Sequence, residues 1–491
     1  MAASVNHSGQ RGANDSGNAA GSRGRAGLPG LLARRFGCMV CAQWGSGLLS
    51  GVFLVLLARS GPELFGLFSL ALALGVLVTM ITGAGFENYL VPRFTEGRVH
   101  MRRILVQTLY IQAGLLLLSL FLLVALCGIL GYDAGKTRLI LVIAAGLGPT
   151  AMAQSFFVLC RVQGRQDTEM RIRIPAGLLG SGFGIACLLL GAPPILTACF
   201  KLVEALVLFL LIGLALRWRF GDFPTRLLGW IGRWRDGFFF AGIAVCGLLY
   251  NKLNIYILDI YGGSYALGLY NAPWEITDGL SILISGALVE KVLFPLMAGQ
   301  WNSDRQAFMH LTGITVKCLL LLGIFAYYVF FVEGDRLLIL LYGQDYLASE
   351  QLFHAQLPCI LAAFLHNLAA CMLISMRLYR PVFLVYLSGL VCNVFLCFWL
   401  IPTHGALGAA WAISCTKVWM MALTVGLAVR NGLELRASHL GAAVLAAALA
   451  WGGHAFFLPQ LPREAAEIIG FVPLLVLAAC WLPGIIRGGT R

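Results

Sequence analysis

Apolar residues run along this chain in blocks of about twenty, separated by short polar or Gly- and Pro-containing stretches, without the sustained period-two alternation of half-buried strands. Twenty helical residues rise about 30 Å, which is the thickness of a bilayer's hydrocarbon core. The pattern predicts fourteen spans, at 37–58, 65–92, 104–130, 138–160, 174–191, 193–216, 237–260, 268–298, 308–332, 353–376, 381–401, 406–428, 437–457 and 467–486. The predicted fold is an all-α integral membrane protein with about 14 transmembrane helices. Residues 1–34 are rich in Gly, Ser, Ala and Arg and too poor in apolar side chains to pack, so they read as a disordered tail.

Composition agrees with that reading. The chain is 59% hydrophobic and 12% charged, whereas soluble domains carry roughly 25% charged residues. A formal net charge of +13 would suit a nucleic-acid surface, but the placement of the cations argues otherwise. With the N-terminus inside, the outer loops hold only Arg59, Lys136, Arg138, Arg336 and Arg463, and nearly every other arginine falls on inner segments. That asymmetry is the positive-inside rule. It predicts an inner-membrane protein with both termini cytoplasmic and no nucleic-acid partner.

Internal repetition divides the chain. Phe65-Gly66-Leu67-Phe68 is answered by Leu267-Gly268-Leu269-Tyr270, Glu87 before Pro92 by Glu290 before Pro295, and Cys199-Phe200-Lys201 by Cys415-Thr416-Lys417. The matches keep their order and nearly their offset. They predict two pseudo-symmetric six-helix lobes, an N-lobe over 35–216 and a C-lobe over 237–430, with 431–491 adding two C-terminal helices. Parallel repeats of this kind place the substrate near the midplane, between the lobes. Residues 217–236, with Arg217-Trp218-Arg219-Phe220 and Trp230 to Arg235, read as a basic and aromatic interfacial linker that anchors at the headgroups.

Candidate chemistry is sparse. The cysteines lie in or at the ends of spans and imply no disulfide framework, and the eight histidines form no metal-ligand set. No nucleophile elbow, phosphate loop or paired acids on an extramembrane domain is present, so an enzyme is disfavoured and translocation favoured. Of the six lysines, Lys201, Lys252, Lys291, Lys317 and Lys417 lie inside predicted spans. A cation at the bilayer centre costs about 2.5–3.5 kcal/mol on insertion scales, so each needs a partner or a wet cavity. Their number points to an anionic cargo.

Three stretches carry a resemblance to a known family: Gly263 to Pro295, Leu341-Tyr342-Gly343-Gln344-Asp345-Tyr346-Leu347-Ala348, and Ile401-Pro402-Thr403-His404-Gly405-Ala406-Leu407-Gly408 leading into span twelve. Over residues 35–430 the chain resembles the polysaccharide-transporter branch of the multidrug/oligosaccharidyl-lipid/polysaccharide exporter (MOP) superfamily, the O-antigen and exopolysaccharide flippases. The resemblance implies two bundles forming a V that opens alternately to each side. It further implies that they carry an undecaprenyl-diphosphate-linked oligosaccharide between leaflets, with a polysaccharide polymerase and a chain-length regulator as partners alongside the membrane lipids. Fourteen spans bring the lipid II flippases into view. That branch uses arginines in its cavity, where this chain has lysines.

The residues sort as follows on this expectation. Lys252 and Lys417, deepest in their spans, are the first candidates for substrate phosphate, with Lys291 and Lys201 behind them. Lys201 has Glu204 three residues on, which also permits a structural ion pair. Asn251, Asn254 and Trp274 are candidates for sugar. Glu275 and Asp278, one helical face of span eight, are candidates for coupling, in which two close carboxylates share a proton; a sodium ion held by oxygens, with Asn254, Asn393 and Thr416, is the alternative. Glu87 and Glu290 mark an inner gate or helix packing. No catalytic residue, resident metal or cofactor is expected beyond a coupling H+ or Na+. A drug or cation antiporter of the same superfamily would instead line its cavity with acids, and a membrane-embedded polymerase would carry a larger outer loop.

The charge asymmetry makes a direct prediction. A cysteine placed at Arg165 is expected to react only after the membrane is permeabilised, and one at Asp345 in intact cells. Labelling of Asp345 only after permeabilisation would overturn the topology.

Overall fold

A computed structural model describes residues 49–83, 86, 90, 94, 101–216, 235–284, 289, 293–433 and 437–488. Among these residues the chain is helical throughout, with no strand. Eleven helices are long and apolar enough to cross a membrane. Two of them, Arg235–Ile284 and Tyr379–Arg430, are pairs of spans joined at sharp turns, Gly263 with φ 70° and Gly405 with φ 56°. Only glycine enters that left-handed region without steric cost. Splitting both and adding the apolar helix Leu49–Arg59, the described part of span one, recovers fourteen segments in the predicted order.

Two boundaries differ from the sequence reading. The apolar run expected over 268–298 starts earlier than its hydropathy: span eight begins at the Gly263 turn and is followed to Ile284, and farther on Phe294–Ser303 is helical with Pro295 in its first turn. Proline is tolerated there because the first-turn N–H has no intrahelical partner. The outer connection after span nine is not a plain loop. It folds as Gly334–Tyr342, a 3-10 turn Gln344–Ser349, and Glu350–Gln356 ahead of span ten at Pro358–Ser375. The linker expected over 217–236 and most of the tail lie outside the described residues.

The lobes meet along spans two and eight. Gly66 and Gly268 sit where the two backbones touch: a Cβ on Gly66 would strike the Ser264 carbonyl, and one on Gly268 the Pro62 carbonyl. One turn deeper, Asn271 Nδ2 donates to Ser69 Oγ at 2.9 Å, a pair 202 positions apart, which is the repeat offset. Under a twofold relation a position touches its own equivalent only on the axis. The motif repeat is therefore a real pseudo-twofold, and its axis runs between these spans. Tyr256 Oη adds a bond to the Ala73 carbonyl at 2.8 Å across the same interface.

Spans thirteen and fourteen dock on span nine. Tyr328 packs among Trp451, His454 and Phe471 and donates to the Glu467 carbonyl at 3.1 Å. Where span nine ends and span fourteen begins, Arg463 forks onto both oxygens of Asp335 at 2.6 and 2.7 Å and reaches Glu467 at 2.8 Å. Those hydrogen bonds hold the Asp335 carboxyl down at about 2 against an ordinary 3.8, and they raise Arg463. A depressed folded pKa gives stability that is complete above the ordinary value and is lost as pH falls toward the depressed one. Arg463→Ala should therefore lower the melting temperature of the detergent-solubilised protein at neutral pH. The gap to wild type should close between about pH 4 and pH 2; a gap independent of pH would assign the loss to packing instead.

Candidate functional site

Four charges lie in one layer of the C-lobe. Counted from the Gly263 and Gly405 turns at 1.5 Å per residue, Lys252, Glu275, Asp278 and Lys417 sit about 16–23 Å below the outer end, near the middle of a core roughly 30 Å thick. Span seven supplies Lys252, span eight both acids, and span twelve Lys417.

Lys417 is paired. Its Nζ donates to Asp278 Oδ1 at 3.3 Å and lies 4.5 Å above the Trp274 ring, with the lysine side chain 7% exposed. Trp274 is fully buried and stacks on Tyr270, their ring centroids 6.4 Å apart and planes 10° apart. The one face of Trp274 thus meets Tyr270 and another the lysine, and in this conformation the ring offers no platform to a sugar. Asn254 is likewise internal: its Nδ2 donates to the Ala409 carbonyl at 2.9 Å and to Tyr270 at 3.3 Å, and its Oδ1 accepts from Cys397 at 3.2 Å. It ties span seven to spans eight, eleven and twelve. Asn393 meets Thr416 at 3.2 Å beside it. Asn251 bonds within its own helix by donating to the Gly247 carbonyl at 3.0 Å.

Lys252 differs. It is half-buried, and among the described residues it has no hydrogen-bond or ion-pair partner. Its charge acts on Glu275, which accepts at 3.2 Å from the same Asn271 amide that holds Ser69. One free cation and one carboxylate tied to the lobe interface are therefore neighbours in the midplane layer.

The remaining candidates separate from this group. Lys201 and Glu204 form the i,i+3 ion pair their spacing allows, at 2.7 Å, within the N-lobe. There Gly146 and Gly180 let the neighbouring spans close onto their backbone and Cβ atoms. Lys317 on span nine is half-buried and unpaired among the described residues. Lys291, Glu87 and Glu290 lie outside the described residues. Among the described residues no group of three His, Cys, Asp or Glu is gathered as a metal site.

Comparison with known proteins places this arrangement. The family described as Polysaccharide biosynthesis protein matches residues 32–301, more than half of the 491-residue chain. The chain belongs to that family. No curated protein sequence matches. This family member shares its fold with solved transporters of the MOP superfamily. The lipid II flippase MurJ in an inward closed conformation superposes with a TM-score of 0.72 at 13% identity, covering 91% of this chain and 99% of that one. An inward-facing multidrug resistance MATE family transporter gives 0.60 at 16% identity over 79% and 94%. The MATE multidrug transporter DinF-BH gives 0.59 at 16% over 83% and 97%. The resemblance and the fold class expected from the sequence are thereby established, and this polysaccharide biosynthesis family member is a multi-pass membrane protein.

The sequence reading missed an ion pair that joins the lobes. Lys136, set aside as a loop lysine, donates to both oxygens of Asp259 at 2.8 and 2.7 Å across the lobe interface. The residues are 123 positions apart, so no local spacing links them.

The two midplane lysines should respond differently to truncation. Lys417→Ala strands the half-buried Asp278 carboxylate and is expected to cost about 1–3 kcal/mol, whereas replacing both Lys417 and Asp278 with Leu should recover most of it. Lys252→Ala should leave stability near wild type. Thermal unfolding followed by size-exclusion chromatography in detergent reads all three, and equal losses for Lys252→Ala and Lys417→Ala would refute the distinction.

Proposed function

We propose that this protein is a flippase that moves a polyprenyl-diphosphate-linked oligosaccharide across the cytoplasmic membrane by alternating access, for surface or exported polysaccharide. The observation that carries the reading is Lys252: a half-buried cation in the midplane layer, unpaired among the described residues, on a fold whose lobes meet at positions equivalent in the repeat. A diphosphate leaving water needs a counter-charge that no protein acid already claims. Lys417 is claimed by Asp278 and supports the layer from behind. Membership of the polysaccharide biosynthesis family supports a glycan-bearing cargo.

Roles follow for the other residues. Lys252 takes the phosphate; Asn251, half-buried on the same span with its Oδ1 unpartnered, meets the glycan end. Glu275 is the coupling group, by proton or sodium ion, because its carboxylate shares the Asn271 amide with Ser69 of the opposite lobe. Both termini are cytoplasmic, and the product is handed to a polymerase and chain-length regulator on the outer side. A second reading, a drug antiporter, draws on the fold of MATE transporters and on the Glu275 carboxylate in the same layer.

The test is complementation of a strain lacking the protein. Lys252→Ala should reduce surface polysaccharide and outer-leaflet lipid-linked oligosaccharide by about 10- to 100-fold, the worth of one charge-assisted contact, with normal membrane abundance. Lys252→Arg should keep part of the activity, since the charge remains while the planar head fits differently. Unchanged glycan together with altered resistance to cationic compounds would move the assignment to the antiporter.

A further inference from the structure

The contacts between lobes at the outer end form two reciprocal clasps. In one, the turn between spans three and four reaches the C-lobe. Asp133 caps the helix at Ala134–Val162 by accepting from Gly135 and Lys136 N–H at 2.8 and 3.1 Å, which fixes the first turn. That turn sends Lys136 over the Tyr132 ring at 4.2 Å and onto Asp259 at the outer end of span seven. In the other, the segment between spans nine and ten reaches the N-lobe. Tyr346 Oη donates to the Ala58 carbonyl at 3.0 Å, and Arg59 donates to the carbonyls of Leu340 and Leu341 at the outer end of span one. The offset of 202 maps Leu57 onto Asp259, so the two clasps grip equivalent places.

They are not chemically equivalent. The Arg59 clasp is exposed and rests on backbone carbonyls. The other is an ion pair with the Asp259 side chain 0% and Lys136 16% exposed. We infer that Lys136 and Asp259 form the latch of the outer gate, a positioning pair that contacts no cargo and sets how readily the lobes part on that side. The physical basis is an asymmetry between states. Removing one partner leaves a buried unpaired charge only while the lobes are closed; once they part, water solvates it. Loss of either partner therefore penalises the closed state alone and shifts the population toward the outward-open one. Loss of both charges, replaced by apolar side chains, leaves nothing to solvate and favours closure.

The inference takes its biological meaning from the alternating-access reading, but its test reads no cargo. Ser69→Cys places a thiol at a lobe interface position that is 5% exposed, in a background with Cys199→Ala. A membrane-impermeant maleimide added to intact cells should label it slowly. Adding Asp259→Asn or Lys136→Met should each accelerate labelling by about tenfold or more. The exchange Lys136→Asp with Asp259→Lys should return the rate toward the starting value, and Lys136→Met with Asp259→Leu should label no faster than the parent. Equal rates in all five proteins, or acceleration by the double apolar variant as large as by the single ones, would overturn the latch. A failed flippase reading would leave these rates unchanged and show only in the polysaccharide assay.

Discussion

The meeting of spans two and eight at Gly66 and Gly268 is the constraint on which the rest of this architecture hangs. Backbone lies against backbone there, so in this conformation the two lobes meet without a cushion of side chains. Close approach of this kind is how helices associate in lipid, where no hydrophobic drive separates one apolar surface from another. With that contact set, Ser69 and Asn271 fall opposite each other, and the clasps grip Ala58 and Asp259 near the ends of spans one and seven. Glu275, one turn below Asn271, is thereby joined to the interface through a shared amide. A change at Glu275 and a change in lobe separation are two ends of one short chain of contacts.

Charge burial then sorts the ionisable residues by task. An ion pair in a low-dielectric interior gives little net stability, but the loss of one member is costly. Lys201 with Glu204 and Lys417 with Asp278 are such pairs, each closed within one lobe, and they move as part of a rigid body. Lys136 with Asp259 spans two bodies, so its energy enters only the equilibrium between conformations. Lys252, unpaired among the described residues, is the charge we propose is left for the cargo. On the proposed reading, similar side chains serve folding, gating and binding according to which body holds the partner.

The fold was legible in the sequence because the bilayer fixes the length of each element. A run of about twenty apolar residues has few structural options, and all fourteen segments lie where the runs fall. The start of span eight was misjudged for an equally physical reason: hydropathy does not register the turn at Gly263, since both sides are apolar. The repeat motifs were legible as pattern, and Gly66 with Gly268 gave them a spatial meaning no composition could supply. The Lys201 and Glu204 pair was legible because it is local. Lys136 with Asp259, and Lys417 over Trp274, depend on helices far apart in the chain, and neither spacing nor periodicity carries that information.

The count of lysines by itself overstated the positive character of the layer. Two acids stand beside two lysines there, so the layer is close to neutral when all four are ionised, and it cannot select an anion by net field. Selection has to come from which charge is uncommitted. Asp278 is held by Lys417 at 3.3 Å, and Glu275 accepts a neutral amide, which leaves Lys252 as the strongest unsatisfied group of the four. A phosphate would meet Lys252 at the cost of the neighbouring Glu275 charge, since like charges brought close disfavour joint ionisation. Neutralising Glu275, by a proton or by a sodium ion, would remove that repulsion and at the same time weaken its hold on Asn271. Cargo binding and release of the lobe interface would then favour the same state of one carboxylate, which is the thermodynamic requirement for coupling the two.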